Sequence, residues 1–103
     1  MPDRLEQLRK FHEAEPDDTF APYSIAMEHL KRGEPSEALA WLNKTLEIDP
    51  DYAYCYYQKA RTLQQLDRLD EARSTVQQGV EAARKTGDEK AISELNDLAG
   101  MLR

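Results

Sequence analysis

Apolar residues recur along this chain at three- and four-residue steps, and strand-like alternation is not sustained anywhere, so the pattern predicts an all-helical fold. Six helices account for it. The first covers about Asp3–Ala14, with Leu5, Leu8, Phe11 and His12 on one face. Glu15-Pro16-Asp17-Asp18 ends it, because the residue before a proline is pushed out of the helical region. The second runs about Thr19–Lys31, with Pro22 tolerated in its first turn and Gly33 supplying the exit. The third starts near Pro35, a favourable early helical position, and runs to about Ile48 before Asp49-Pro50 closes it. The fourth spans about Tyr52–Leu66. The fifth spans about Leu69–Lys85, with Arg84 and Lys85 at the negative end of its dipole. Thr86-Gly87-Asp88 breaks the chain, Asp88 suits an N-cap, and the sixth helix, about Glu89–Leu102, carries Ile92, Leu95, Leu98 and Leu102 on one face. Every connection is short, so successive helices are expected to pack antiparallel.

The pattern also repeats at a spacing of 34 residues: Pro16-Asp17 returns as Pro50-Asp51, Tyr23 as Tyr57, Ala26 as Ala60, Glu37-Ala38 as Glu71-Ala72, and Glu47 as Glu81. A fixed helical repeat of this length signals stacked hairpins that present a surface. Each unit holds an alanine on either helix, Ala26 with Ala38 and Ala60 with Ala72, where a larger side chain would hold the axes apart. Leu42 and Val76 follow four positions after the second alanine and would fill the space above it. This is a packing code with no chemistry in it.

On these residues the stretch from about Asp18 to Lys85 resembles two tetratricopeptide repeats. Ala26 and Ala60 match the family's first small position, Ala38 and Ala72 its most demanding alanine, Leu42 and Val76 its Phe, Pro50 its closing proline, and Tyr56 its early aromatic. The chain departs from the pattern at Pro22, which replaces that aromatic in the first unit, at Lys59 in a Leu position, at His29 and Leu63 in the inner Tyr position, and at Arg84 in place of the second proline. The division implied is an N-terminal half-repeat helix (3–15), repeat one (18–50), repeat two (52–85) and a C-terminal capping helix (88–103).

The resemblance further implies a concave groove lined by the first helix of each hairpin, binding a protein or peptide segment in a scaffold or adaptor role. Carried over position by position, its lining is Phe20, Tyr23, Ser24, Met27 and Lys31, then Tyr54, Tyr57, Gln58, Arg61 and Gln65. Tyr and Arg are enriched at binding hot spots, and Met suits adaptable apolar contact. Periodicity alone leaves open whether Tyr54 and Tyr57 line a groove or pack between helices. A subset of the family grips a C-terminal carboxylate through a Lys/Asn/Arg clamp. Its positions fall here on Tyr23, Met27 and Gln58, so this chain does not carry it. Lys31 and Arg61 are left either to meet an acidic group singly or to pair with neighbours such as Glu28.

A net charge of −6 argues against nucleic acid and against anionic membrane surfaces, both of which need a basic footprint. A length of 103 residues is one domain with room for a core. The single Cys55, more consistent with a small hydrophobe than a reactive thiol, fits a reducing compartment. The charged N-terminus is no signal peptide, and no run reaches the length of a spanning helix, so a cytoplasmic location is expected. Trp41 is expected either within the stack or half-exposed on the convex face. His12-Glu13 and Glu28-His29 are the only His–carboxylate neighbours, and adjacent helical residues point apart. With no nucleophile, phosphate-loop or metal motif, no enzyme activity, cofactor or metal is expected, the acidic Glu13, Glu15, Asp17 and Asp18 included. The alternative to peptide binding is a weak homodimer driven by Leu5, Leu8 and Phe11 at one end and Ile92, Leu95, Leu98 and Met101 at the other. Arg9, Lys10, Glu94 and Asp97 would oppose it as a polar cap.

Overall fold

The computed structural model describes residues 3–102 as six helices: α1 Arg4–Ala14, α2 Phe20–Lys31, α3 Pro35–Ile48, α4 Ala53–Gln65, α5 Leu69–Thr86 and α6 Glu89–Met101. Each helix packs on the next, and α4 also meets α6 across the stack. The result is an elongated body of 43 × 29 × 18 Å.

Local chemistry sets the helix ends. The Asp3 carboxylate accepts from the Glu6 N–H at 2.9 Å, and Asp88 accepts from Ala91 at 3.0 Å, each satisfying a backbone donor that the first turn leaves orphaned. Three helices close on the same turn. The backbone N–H groups of Glu34, Arg68 and Asp88 reach back five residues to the carbonyls of His29, Leu63 and Ala83 at 2.9, 2.9 and 2.8 Å. The residue before each of these donors is left-handed: Gly33 at φ 74°, Asp67 at φ 58° and Gly87 at φ 71°. Glycine adopts that conformation freely and aspartate only at a cost. Gly87 explains how α5 ends without the closing proline that Arg84 displaces: the left-handed turn stops the helix just after Thr86.

The paired alanines sit at the helix crossings. Ala26, Ala38, Ala60 and Ala72 are all fully buried, as is Leu42, and Val76 is nearly so. Two core clusters extend from them: Ala26, Leu42 and Cys55 across the first hairpin and the start of α4, and Ala60, Leu63, Ala72 and Val76 in the second. His29 occupies the inner aromatic position of the first hairpin. It is buried, with Nδ1 3.0 Å from the Glu34 carboxylate at the start of the next helix. Its neighbour Glu28 turns instead to Arg4 and Arg32. Buried Thr45, Thr62 and Thr75 satisfy their own hydroxyls by donating, each at 2.8 Å, to the carbonyl four residues earlier. Lys59, odd at a Leu position, is half-buried, and its charge adds slightly to the Arg68 hydrogen bond that holds the Glu71 carboxyl below its ordinary pKa.

The terminal helices differ from the expectation that their apolar residues stand exposed. Leu5 and Leu8 pack on Ile25 and Trp41, and Leu95, Leu98 and Leu102 enter the core of the second hairpin. A helix with a single apolar stripe buries that stripe against its own stack first, so only Phe11 (40%) and Met101 (63%) remain well exposed, with Ile92 partly covered. Trp41 of α3 is half-buried against α1 and α2, with the His12 ring edge-on to it at 5.6 Å.

Candidate functional site

α4 packs on α3 and α5 and also meets α6, and Tyr23 of α2 reaches its N-terminal end through Tyr52. The exposed side of α4 carries Tyr54 and Arg61, and half-buried Tyr57 lies between them at three- and four-residue steps, so the three form a single stripe. The rings of Tyr54 and Tyr57 stack with centroids 5.3 Å apart, and the Arg61 guanidinium stands 5.9 Å from the Tyr57 centroid. Tyr54 is exposed at 43%, whereas Tyr57 is half-buried and packs its inner edge on the core of the second hairpin. Of the two readings left open by the periodicity, packing between helices applies in part to Tyr57, while Tyr54 stands exposed.

Tyr23 of α2 faces the same strip. Its ring stacks on Tyr52 at 5.2 Å, and its hydroxyl lies close enough to Tyr52, Cys55 and Tyr54 to feel their charge. Burial, reinforced by those neighbours and partly offset by the Gln58 amide, pushes the Tyr23 phenol from 10.0 up to about 12. The Tyr52 phenol is also raised, chiefly by burial. Tyr52, expected as the first residue of the fourth helix and not among the expected lining residues, stands just before α4. Its place beside Tyr23 depends on how one hairpin stacks on the next. Tyr56 points the other way, its hydroxyl donating to the Pro50 carbonyl at 2.7 Å.

Of the other expected lining residues, Gln58 joins this cluster beside Tyr23, whereas Phe20, Lys31 and Gln65 do not. Phe20, 54% exposed, turns to α1, with its ring edge-on to Phe11 at 5.5 Å. Met27 is half-buried against the Ala26–Leu42–Cys55 cluster. Lys31 and Gln65 are exposed near the C-terminal ends of α2 and α4. Among the described residues neither Lys31 nor Arg61 has a carboxylate within ion-pair distance; the partner expected for them, Glu28, is taken by Arg4 and Arg32. The expected positions carry two cations, Lys31 and Arg61, and no carboxylate, in a chain with 20 acidic residues. On the α6 side, Tyr54 borders a small cleft with Lys90, Ala91 and Glu94, and with Asp88, which is engaged in capping that helix. Those α6 residues lie beyond the repeated units, so the internal repeat gave no signal for them.

Cys55 is fully buried, with its thiol 3.6 Å from the Leu42 carbonyl, and burial pushes it from 9.0 up to about 12. It is a packing residue. Among the described residues no group of three or more His, Cys, Asp or Glu side chains is placed to hold a metal, and no helix is long and apolar enough to cross a membrane. The Asp18 carboxylate of the acidic N-terminal patch accepts from the Phe20 N–H at 2.8 Å.

Comparison with known proteins agrees with this architecture. A tetratricopeptide repeat domain protein from Salinibacter ruber, known as a crystal structure, superposes with a TM-score of 0.76 at 42% identity, over 82% of this chain and 94% of that one. The TPR2B domain of yeast Sti1, solved in complex with an Hsp70 peptide, superposes with a TM-score of 0.88 over 95% of this chain and 78% of that one; at 19% identity it speaks for the fold alone. The ER protein translocation subcomplex subunit sec67 of Schizosaccharomyces pombe is 43% identical over 44 residues, which is 43% of this chain and only 23% of that protein. The tetratricopeptide repeat family profile matches residues 29–97 of the 103, and the chain therefore belongs to the tetratricopeptide repeat family.

Proposed function

We propose that this chain is a non-enzymatic protein–protein interaction module that takes a peptide segment on the face shared by α2, α4 and α6, acting as a scaffold or adaptor in the cytoplasm. The observation that carries this reading is the strip of Tyr54, Tyr57 and Arg61, stacked rings beside a guanidinium that has no carboxylate within ion-pair distance among the described residues, in an acidic protein. Tyr and Arg are the side chains that most often dominate binding energy, because they bring large, rigid surface and charge-assisted donors to one place. Structural relatives solved with Hsp70 and HSP90 peptides lend support by fold. The division into a half-repeat (3–15), two repeats (18–50 and 52–85) and a cap (88–103) belongs to the same reading.

The test is a pull-down from lysate with three folded baits: wild type, Tyr54→Ala/Arg61→Ala, and a control, Gln77→Ala/Arg84→Ala, in the cleft between α5 and α6. Tyr54 and Arg61 are chosen because both are exposed, so their loss leaves the core intact. A partner captured by wild type and by the control but lost with the first variant supports the reading. Capture lost only with the control moves the interface to the other face.

A further inference from the structure

The chemistry of this face selects among peptide conformations. Its aromatic surface is made of two stacked pairs, Tyr23 of the first hairpin with Tyr52, and Tyr54 with Tyr57 on α4. The polar groups that accompany the rings are phenol hydroxyls, the Gln58 amide and the Arg61 guanidinium. Phenols and amides donate as well as accept and Arg61 only donates, so donors outnumber acceptors around Arg61. The carboxylates of Asp88 and Glu94 enter at the Tyr54 end, where Asp88 is occupied with its cap, and that of Asp49, which accepts from the Asp51 N–H, lies close enough to Tyr52 to add to the burial that raises its phenol.

A segment that complements such a surface should offer apolar faces to the rings and carbonyl oxygens to the donors, with few N–H groups seeking acceptors. A helical peptide hides its carbonyls, and an ordinary extended strand brings as many N–H groups as carbonyls. A proline-containing segment lacks the N–H at each proline, keeps its carbonyls free, and is already held in the polyproline II conformation, so ordering it on the face costs little entropy. Spacing agrees. Seven residues of α4 separate Tyr54 from Arg61, about 10 Å at the rise of an α-helix, which is close to the roughly 9 Å of one three-residue polyproline turn. A proline seated on Tyr54 therefore places the side chain three residues along beside Arg61. That guanidinium has no carboxylate partner of its own among the described residues.

Resting on the groove-binding reading above, we propose that the preferred ligand is a proline-rich segment in the polyproline II conformation with an acidic residue one turn from the proline that packs on Tyr54. The rings supply sequence-tolerant affinity, and Arg61 fixes direction and register by a charge-assisted contact.

The probe is a fluorescein-labelled peptide of eight prolines followed by two glutamates, titrated with the full chain and read by anisotropy. Controls of equal length and charge replace the prolines by Gly-Ser or by Ala. The expected result is binding of the proline probe at least about tenfold tighter than either control. Tyr54→Ala should lose about tenfold for the proline probe. Arg61→Gln should weaken it about as much while leaving an uncharged all-proline probe unchanged. Both residues are exposed, and an unaltered melting curve verifies that each variant is folded. Equal affinity for the three peptides, or no binding of the proline probe, overturns the proline preference. If the Gly-Ser control still binds and Tyr54→Ala still abolishes it, the groove reading survives that failure. If the proline probe binds the Tyr54→Ala and Arg61→Gln variants as well as wild type, its site is elsewhere and both readings fall.

Discussion

Gly79 lies in the middle of α5, where glycine is about 1 kcal/mol worse than alanine by intrinsic propensity. On propensity alone Gly79→Ala should stabilise the protein. The packing says the opposite. A Cβ at this position would stand 2.7 Å from the Tyr56 Cβ and 3.0 and 3.1 Å from the two δ-carbons of Leu95. Rotamer changes in Leu95 can relieve the second contact. They cannot relieve the first, because the Tyr56 Cβ is fixed to the backbone of α4, so α4 and α5 themselves must separate. Overpacking costs about 1–3 kcal/mol, a clash with a backbone-anchored atom falls toward the upper end at about 2–3 kcal/mol, and after the propensity gain of about 1 kcal/mol a net loss of about 1–2 kcal/mol is left. For a domain of this size that is a fall in Tm of about 5–10 °C, read by circular dichroism melts and confirmed by urea denaturation. Gly100 is the internal control: it is also helical, and a Cβ there meets nothing within 4 Å. Gly100→Ala should be neutral to stabilising by up to about 1 kcal/mol, with the lower figure favoured because it sits at the end of α6. The same substitution must therefore change sign between the two sites. A Gly79→Ala protein as stable as wild type would mean that α4 and α5 do not approach this closely, and the packing account would be refuted.

Three further outcomes follow from the geometry. Ala72→Leu, at a fully buried position of the same α4–α5 contact, should lower stability by about 1–3 kcal/mol or more, and an unchanged melting temperature would show the repeat register to be wrong. Asp67→Gly should raise stability by about 1 kcal/mol in urea denaturation, since it relieves a left-handed aspartate at φ 58° and removes a negative charge from the C-terminus of α4; a loss would mean that the Asp67 side chain makes a contact worth more than its strain. Cys55 and Tyr23 both have folded pKa values of about 12, above their ordinary 9.0 and 10.0, so the folded state holds their protons longer. Their contribution is complete below pH 9 and is lost as pH rises through that window toward 12. Melting temperatures should fall across that range, less steeply in Cys55→Ala, and an identical slope in the two proteins would remove the thiol from the account.

The repeat itself was legible along the chain, because each of its requirements is local or periodic. Alanines at helix crossings, prolines and glycines at turns, and apolar steps of three and four residues impose helices and hairpins whatever their neighbours, and the family follows from them. Even the departures had local answers: Gly87 ends α5 where Arg84 stands in place of a proline, and His29 is accepted in the core beside Glu34. Periodicity could not say which way a residue faces once several aromatics share one helix. Tyr54, Tyr56 and Tyr57 lie within four residues of one another, yet one is exposed, one donates to the Pro50 carbonyl, and one half-enters the core. The pairing of Tyr23 with Tyr52, the capture of Glu28 by Arg4 and Arg32, and the burial of Leu95 and Leu98 joined residues from different helices. Such contacts are set by the rotation and depth at which one helix docks on the next, and these depend on the summed packing of the whole stack. The sequence by itself determined the helices, their hairpins and the family. Only the tertiary structure decided that Tyr23, Tyr54, Tyr57 and Arg61 share one face while Phe20 turns away to Phe11.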